Sequence, residues 1–291
     1  MASINNLFKD RDWPLVFCFA NQKGGVGKTT LAVQFAQYAN DVLGKKVLGI
    51  DLDYQGDFTH ALSDHDEKGV AILGNALSSN LFDSSLGTIE PTKTSKGIDL
   101  IGTPRKNPKL LAVEGLAEEE SYFCQEHLND VLPKYDVVVI DCPPLPGRTM
   151  QAGLFMAHYV ITPMGFGGFG MDSVSYMLNM TKQAQVVLEH ITTEPQLYPQ
   201  FLGSIINLAT KYNEAQDFVN GIHKAHPELI FKNIVGNREG VKNASYEGEA
   251  VWKQRYQHVA GGEMLRVFRE AFERVIQFER KLNRTDETDQ D

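Results

Sequence analysis

The sequence predicts an α/β fold, a mostly parallel twisted sheet with helices on both faces. Short β-branched runs alternate along the chain with longer segments of helical period, which is the pattern of parallel strands joined by crossover helices. Several of these runs are apolar almost throughout, as expected for strands that are buried on both faces. No linker interrupts the pattern, so we predict a single domain over residues 15–283. An N-terminal arm (1–14) precedes it, and an acidic disordered tail (284–291) follows it.

The elements are predicted from these runs and periods. The strands are Leu15–Ala20, Lys46–Asp51, Ile98–Gly102, Asp136–Asp141, Tyr159–Thr162, Phe201–Asn207 and Ile230–Val235. The first helix is expected directly after Lys28, where apolar residues recur at helical spacing, and Gly44 is placed to end it. The other predicted helices are Ser121–Leu132, Met171–Leu188, Tyr212–Ala225 and Glu263–Leu282. Residues 54–97, rich in Gly, Ser, Asp and Thr, are expected to hold short helices and loops at the edge of the sheet.

Composition narrows the function classes. Of the 291 residues 42% are hydrophobic, which excludes a wholly disordered chain, and no apolar run approaches the roughly 18 residues of a membrane span. Residues 1–13 have no apolar segment like that of a signal peptide, and three cysteines are too few for a disulfide framework. We therefore expect a cytoplasmic protein. The chain has 28 basic and 37 acidic residues, and its net charge of −9 by itself argues against nucleic acid or membrane partners.

The segment Asn21–Thr30 (NQKGGVGKTT) has the form of a phosphate-binding loop between a strand and a helix. Glycines at such a place let backbone N–H groups and the helix N-terminus face an anion. In a P-loop, Lys28 reaches the β- and γ-phosphates of ATP and the Thr29 hydroxyl ligates Mg²⁺. The predicted ATP-binding residues of the loop are Gly24, Gly25, Val26, Gly27, Lys28, Thr29 and Thr30. The flanking strand and helix favour a single-domain P-loop fold, and the alternative is a glycine-rich turn that binds nothing.

The loop departs from the generic P-loop, because Gln22 stands where a glycine is usual and Lys23 adds a second lysine. This form is similar to the deviant Walker A motif, and the chain resembles the ParA/MinD family of ATPases, in particular its ParA branch of plasmid and chromosome partition proteins. Three further segments resemble family motifs: KVLGIDLDYQG (46–56), YDVVVIDCPP (135–144) and FLGSIIN (201–207). The resemblance extends over about residues 15–280. Tyr54 and Gly236 stand where the family usually has proline.

The resemblance implies roles for the acidic residues that end two strands. Asp53 is implied to orient the attacking water, with Asp51 in a supporting place near Mg²⁺ or the P-loop. Asp141, at the end of an apolar strand, is expected to hold Mg²⁺ through its water shell. For Asp51 and Asp53, a pair of acids that caps a strand end is the other interpretation.

The resemblance also implies how two subunits share the nucleotide and which residues bind its base. Lys23 is implied to reach the phosphates in the other subunit of a homodimer that forms on ATP binding, which suits a symmetric interface. Asn207 is implied to bind the adenine edge, although an asparagine at a strand end is also an ordinary turn residue. Asn237 falls in the loop that contacts the base in the family.

A local excess of basic residues lies near the C-terminus despite the acidic total. Residues 229–284 hold eleven basic and seven acidic residues, a balance of +4. In the predicted last helix an inward apolar stripe leaves arginines to face outward. The candidate DNA contacts are Arg238, Lys242, Arg266, Arg269 and Arg274. ParA relatives use basic residues in this region to bind DNA without sequence preference, and the alternative is a solvated helix face with salt bridges.

These features together predict a Mg²⁺-dependent ATPase of the ParA type. ATP is expected to drive a DNA-binding homodimer, and a ParB-like or cargo-adaptor protein is expected to stimulate its slow hydrolysis. Such a protein segregates or positions a plasmid, a chromosome locus or another cargo on the nucleoid of a bacterium or archaeon. The alternatives are a metabolic enzyme similar to dethiobiotin synthetase, a MinD-like membrane ATPase and a nitrogenase-reductase-like electron carrier. The acidic C-terminus argues against a membrane anchor.

Overall fold

One parallel sheet organises the chain. The computed structural model describes residues 2–9, 11–117, 124–166, 170–192 and 198–288. The strands are β1 (Leu15–Phe19), β2 (Val47–Asp51), β3 (Ile98–Ile101), β4 (Val137–Asp141), β5 (Tyr159–Gly165) and β6 (Gln200–Asn207). They pair in the order β3-β2-β4-β1-β5-β6, each parallel to its neighbours. The predicted α/β class is confirmed, and these strands overlap the first six predicted runs.

Helices cover both faces of the sheet. They are α1 (Ala2–Asn6), α2 (Lys28–Gln37), α3 (Asp57–Leu62), α4 (Pro108–Ala112), α5 (Arg148–Met156), α6 (Gly170–Glu189), α7 (Tyr212–His223), α8 (Glu239–Glu247) and α9 (His258–Thr288). Because side chains alternate along a strand, Phe17 and Phe19 of β1 join the core with α2 and α9. Val16 and Cys18 join the opposite core with α5 and α6. No helix in the described ranges combines the length and the hydropathy needed to cross a membrane.

An aromatic cluster fixes α2, the helix that follows the P-loop, between the sheet and α9. The Phe35 ring of α2 lies 4.8 Å from the Phe17 ring and 5.3 Å from the rings of Phe268 and Phe272, measured between centroids. All four side chains are fully buried. Buried aromatic rings contribute much of the apolar area of a core. Their packing therefore holds α2, the helix that starts at the P-loop, in place between the sheet and α9.

Four of the predicted helices match the structure. α2 ends at Gln37 and continues as a π-helical turn over Tyr38–Val42, after which Gly44 has a left-handed φ of +64°. The helices predicted at Met171–Leu188, Tyr212–Ala225 and Glu263–Leu282 correspond to α6, α7 and α9. Amphipathic periodicity therefore predicted these four elements correctly.

The predicted seventh strand, Ile230–Val235, is wrong. The segment forms no continuous ladder with β6. It has an isolated parallel bridge at its first residue, and another lies just beyond its last residue. Between them, the backbone N–H groups of Lys232 and Asn233 donate to the Glu270 carboxylate of α9, at 2.7 and 2.9 Å. The apolar residues of the segment are buried. Phe231 and Val235 still donate to the carbonyls of Ser204 and Ile206 at 2.8 and 2.9 Å, so the α9 side chain interrupts the pairing with β6 between them.

The predicted helix at Ser121–Leu132 is also wrong where the structure describes it. Residues 124–132 contain one 3₁₀ turn, Glu126–Leu128, and a second turn, Leu132–Lys134, follows. Leu128 and Val131 are buried. The apolar residues whose spacing suggested an α-helix therefore anchor two short turns instead. Residues 121–123 lie outside the described residues.

The segments predicted as an arm and a tail both contain helix. In the arm, Ile4 of α1 and the following Leu7 are buried in the core that includes α9. At the other end, α9 continues to Thr288, into the segment 284–291 that we expected to be disordered. The domain boundaries at residues 15 and 283 stay a prediction.

Candidate nucleotide-binding site

The carboxyl ends of β1, β2 and β4 bring the predicted site residues together. β4 lies between β1 and β2, with Asp141 in register with Phe19 of β1 and Asp51 of β2. The P-loop continues from β1 and ends where Lys28 begins α2. Ligands of open α/β sheets bind at this edge. Motifs that are far apart in the chain therefore meet at one site.

The P-loop is shaped by two glycines and braced by Asn21. Gly25 and Gly27 have left-handed φ values of +73° and +87°, which a residue with a side chain adopts only with strain. The buried Asn21 donates from Nδ2 to the Pro163 carbonyl at 2.7 Å and accepts the Lys23 N–H on Oδ1 at 2.9 Å. No role was predicted for Asn21 from the sequence, although its position between strand and loop was an available signal.

The two lysines of the loop have different environments. Lys28 is buried, and its Nζ donates to the Lys23 carbonyl at 3.2 Å. Burial lowers the pKa of Lys28, and the nearby carboxylates of Asp141 and Asp53 oppose that shift. Lys23 itself is exposed, as are the two glycines that follow it. Lys28 is thus an inward-facing cation, whereas Lys23 lies at the surface of the loop.

Thr29 and Asp141 form a pair that suits Mg²⁺. Thr29 Oγ1 donates to Asp141 Oδ2 at 2.7 Å. The other oxygen, Asp141 Oδ1, is buried and has no hydrogen-bond partner within the part of the chain that the structure describes. Burial and the neighbouring Asp51 raise the pKa of Asp141 well above its usual range. Mg²⁺ takes oxygen ligands and keeps several waters, so the unsatisfied carboxylate oxygen and the adjacent hydroxyl fit this ion.

Asp51 is bonded to the protein through both carboxylate oxygens. Oδ2 accepts from the N–H and the hydroxyl of Thr59 at 2.8 and 2.7 Å, and Oδ1 accepts from the Asp53 N–H at 3.1 Å. Burial raises the pKa of Asp51 to about 7. Thr59 also accepts the Thr103 N–H at 2.8 Å. These contacts favour the supporting role for Asp51. Thr59 was not predicted from the sequence, because only the fold brings α3 to this carboxylate.

The turn after β2 places Asp53 at the mouth of the site. Asp53 is half-buried, and its Oδ1 accepts from the Gln55 N–H at 3.0 Å. Burial raises the pKa of Asp53, and the Gln55 hydrogen bond and the Lys28 charge oppose that shift. Tyr54, where the resemblance expects proline, accepts the Asn107 N–H on its carbonyl at 3.2 Å. The turn is therefore formed without a proline.

The two asparagines predicted near the base lie at the carboxyl edge of β6. Asn207 is buried, and its Nδ2 donates to the Val26 carbonyl of the P-loop at 3.0 Å. Asn237 is exposed, and its N–H donates to the Ala209 carbonyl at 3.0 Å. Their contact with adenine stays a prediction.

The predicted DNA-contacting residues differ in exposure. Lys242 on α8 and Arg266 and Arg269 on α9 are exposed. Arg238 lies against α9, where its Nη2 donates to Glu263 Oε1 at 2.7 Å. Three of the five residues are thus available at the surface.

Arg274 is largely buried, so the prediction that it faces outward is wrong. Only 11% of its side chain is exposed, and its guanidinium lies 4.3 Å from the centre of the Phe231 ring. It donates to the carbonyls of Leu202 and Pro227 at 3.0 and 2.9 Å and to the Glu270 carboxylate at 3.1 Å. Because its guanidinium is hydrogen-bonded to these acceptors, Arg274 is a structural residue that joins α9 to β6.

Sequence comparisons relate the chain to ATPases. A family model described as an AAA domain matches residues 15–193. The chain is 25% identical over 257 residues to the chromosome-partitioning ATPase Soj of Treponema pallidum. That match covers 83% of this chain and 94% of the relative.

Two solved structures share the fold. The ATP complex of a Cyanothece McdA variant has a TM-score of 0.70 at 19% identity, over 90% of this chain and 96% of that one. Cobyrinic acid a,c-diamide synthase from Mycobacterium smegmatis, with bound ADP and magnesium, has a TM-score of 0.63 at 24% identity, over 80% and 91%. At these identities the likeness concerns the fold alone.

Proposed function

The chain belongs to the ParA/MinD family of deviant Walker ATPases, and from this premise we propose that it hydrolyses ATP to position or segregate a cargo. ATP and Mg²⁺ bind at the P-loop, and two copies of the chain then form a homodimer that binds DNA without sequence preference. A partner protein of the ParB or cargo-adaptor type stimulates a hydrolysis that is slow without it. The cargo is a plasmid, a chromosome locus or another large assembly in the cytoplasm.

The observation that supports this proposal most directly is the meeting of Lys28, Thr29 and Asp141 at the P-loop. A buried ammonium group, a hydroxyl and an unsatisfied carboxylate oxygen lie together at the carboxyl edge of the sheet. Leaving Asp141 Oδ1 buried without a partner costs free energy. A Mg²⁺-bound triphosphate offsets that cost and uses all three groups.

Each residue of the site has a task in the proposed reaction. Lys28 places positive charge against the β- and γ-phosphates, while Thr29 and Asp141 hold Mg²⁺, the carboxylate through its water shell. Mg²⁺, when bound, neutralises charge on the phosphate oxygens. Asp53 accepts a hydrogen bond from the attacking water and so orients it. Asp51 fixes the turn that holds Asp53, since it accepts the Asp53 N–H.

Lys23 is proposed to complete the site of a second subunit. It is exposed on the P-loop, whereas Lys28 of the same loop is turned inward. In a two-fold symmetric dimer each subunit gives and receives the same lysine. The exposed glycines beside Lys23 leave the loop surface open to a close approach by the partner.

The proposed DNA surface consists of Lys242, Arg266 and Arg269, which are exposed on α8 and α9. Contacts of this kind need only phosphates, so they do not require a sequence-reading element. A dimer presents two such surfaces, and the affinity is expected to fall steeply with salt as counterions compete for the phosphates. Because salt screens charges that lie more than about 10 Å apart, exposed basic residues can bind phosphates despite the net charge of −9.

The decisive experiment is Asp53→Ala, which removes water orientation but leaves Lys28, Thr29 and Asp141 in place. With ATP and Mg²⁺ we expect a dimer by light scattering, binding to duplex DNA at low salt, and phosphate release slowed at least roughly a hundredfold. Asp57→Ala is the matched control, because Asp57 is an exposed acid in the next turn that pairs with Arg105 at 3.0 Å. It is expected to behave as the wild type.

Three outcomes would contradict the proposal. The first is ATP-loaded Asp53→Ala that stays monomeric and ignores duplex DNA. The second is wild-type ADP release that depends on a carboxylate or amine substrate, which identifies a metabolic enzyme on the same scaffold. The third is ATP-dependent sedimentation of the wild type with liposomes, which identifies a MinD-like membrane ATPase.

A further inference from the structure

Glu263 is a buried carboxylate in the second turn of α9 that holds the loop following residue 235. Its side chain is 2% exposed. Oε2 accepts the backbone N–H of Gly236 at 2.9 Å, and Oε1 accepts from Nη2 of Arg238 at 2.7 Å. The two contacts lie on either side of Asn237. One carboxylate therefore fixes the chain before and after this residue.

Gly236 suits this arrangement in two ways. A proline, the residue that the family resemblance expects here, has no N–H to donate to Glu263. A Cβ at position 236 would also lie 3.0 Å from Nε and 3.2 Å from Nη2 of Arg238. The glycine thus supplies a donor and leaves room for the guanidinium. Gly236, Arg238 and Glu263 form one interlocking set, which we call the α9 clasp.

The α9 clasp lies next to the strand end that reaches the P-loop. The Asn237 N–H donates to the Ala209 carbonyl at 3.0 Å, and the Ala209 N–H donates to the Val235 carbonyl at 3.1 Å. Ala209 is two residues beyond Asn207, whose amide contacts the P-loop at Val26. The loop that the clasp holds is therefore tied to the end of β6, on the nucleotide side of the sheet.

We propose that Glu263 is a positioning residue for the base of the bound nucleotide, acting through the α9 clasp on Asn237. This inference rests on the proposed nucleotide site and on the predicted contact of Asn237 with the base. A buried carboxylate is stable only while both of its partners remain. Its replacement by a neutral amide removes the ion pair with Arg238 and presents an NH₂ group to a guanidinium or a backbone N–H. The loop then loses its fixed position, whereas the P-loop keeps its own contacts.

The test distinguishes the contribution of the base to binding from that of the phosphates. Glu263→Gln and the wild type are titrated with Mg–ATP and, in competition, with Mg²⁺ and inorganic triphosphate, which has no base. We expect Glu263→Gln to weaken ATP binding about tenfold, the effect of losing one positioned polar contact. Triphosphate binding is expected to stay within a factor of about two. Arg238→Gln, which alters a residue nearer the surface, is expected to show the same selective loss.

Glu270→Gln is the matched control. Glu270 lies on the same helix and likewise accepts backbone N–H groups, those of Lys232 and Asn233. It is expected to lower the melting temperature without changing either affinity. Equal losses of ATP and triphosphate affinity in Glu263→Gln, or no loss of either, would overturn the inference. A wild type that binds neither ligand would instead overturn the proposed function, on which the inference depends.

Discussion

The amide of Asn207 donates a hydrogen bond to the carbonyl of Val26 at 3.0 Å, which joins the end of β6 to the P-loop. The next residue, Gly27, has a φ of +87°, and a Cβ there would overlap Nδ2 of Asn207. The glycine is therefore required by conformation and by the closeness of the asparagine. The conformation of the P-loop therefore depends on its contact with the distant Asn207 as well as on its own sequence.

Gly27→Ala is expected to destabilise the fold by about 2–3 kcal/mol, because the methyl group adds a steric overlap to the strain of a positive φ. Gly44→Ala is the matched control. Gly44 has a φ of +64°, and among the described residues no heavy atom lies within 4 Å of the place that an added methyl group would take. Conformational strain alone should cost about 1 kcal/mol there. Urea unfolding of both variants measures the difference, and equal losses would mean that the Asn207 contact is unimportant.

Asp141→Asn is expected to stabilise the nucleotide-free protein and to impair Mg²⁺-dependent binding. Asp51 and Asp141 are direct neighbours in register, both fully buried, and burial raises the pKa of each. Asparagine removes one of two repelling buried carboxyl groups and still accepts the Thr29 hydroxyl. We expect the free energy of unfolding to rise by about 1 kcal/mol. The gain in melting temperature that Mg–ATP gives the wild type should be lost, as measured by thermal denaturation.

Asp136→Asn serves as the control for that prediction. Asp136 immediately precedes the same strand and accepts the Lys46 N–H at 2.8 Å, but it lies at the opposite end of β4. Its variant should keep the full response to Mg–ATP. A destabilised Asp141→Asn, or one that keeps its response to Mg–ATP, would show that the buried carboxylate pair does not have the predicted role.

The sequence predicted the parts of the site whose residues are close together in the chain. The P-loop needs ten consecutive residues between a strand and a helix, and Asp141 could be assigned because it ends an apolar run. The place of Asp51 was implied by the family resemblance. Thr59 could not be predicted in this way. Its contact with Asp51 depends on how α3 folds back over the end of β2.

Two errors of the sequence analysis have one physical cause, the carboxylate of Glu270. It takes the N–H groups of Lys232 and Asn233, 38 and 37 residues away, and interrupts a predicted strand. It also pairs with Arg274, which we expected at the surface. Hydrophobic periodicity reports which residues are buried, but it does not show which distant side chain will satisfy a backbone donor.

Arg274→Ala is expected to destabilise the fold, whereas Arg266→Ala is expected to leave its stability almost unchanged. Removing Arg274 takes the only cation within hydrogen-bond reach in the described residues from the buried Glu270 carboxylate, and a donor from several backbone carbonyls. The free energy of unfolding should therefore fall by about 2–4 kcal/mol. Arg266 is exposed, and its replacement should change stability by less than about 0.5 kcal/mol. Chemical denaturation compares the two directly, and a mild effect of Arg274→Ala would contradict its structural role.

Variants of Arg266 and of the nearby Arg269 test the proposed DNA surface. Arg266→Ala and Arg269→Ala are each expected to weaken duplex binding by the ATP-bound dimer and to lower the salt dependence by about one unit of slope. The change should be similar for unrelated DNA sequences, because phosphates are contacted rather than bases. Fluorescence anisotropy over a range of salt concentrations measures the slope, and unchanged slopes in both variants would exclude this surface.

His158 connects α5 to β5 and is expected to make stability depend on pH. It is buried, and its Nδ1 accepts the Val16 N–H at 3.3 Å, which requires that Nδ1 has no proton. Burial lowers the pKa of His158 from 6.5 to about 4. Below pH 6.5 the unfolded chain therefore binds a proton that the folded chain does not, so stability falls as the pH is lowered towards 4.

His158→Asn should remove this part of the pH dependence while an amide oxygen still accepts the Val16 N–H. The loss from pH 6.5 to pH 4 should be about 3 kcal/mol smaller in the variant than in the wild type. Urea unfolding at several pH values measures both curves. The raised pKa values of Asp51 and Asp141 act in the opposite direction, but they are common to both proteins and cancel in the difference. Parallel curves would show that His158 is protonated in the folded state, with Val16 bonded elsewhere.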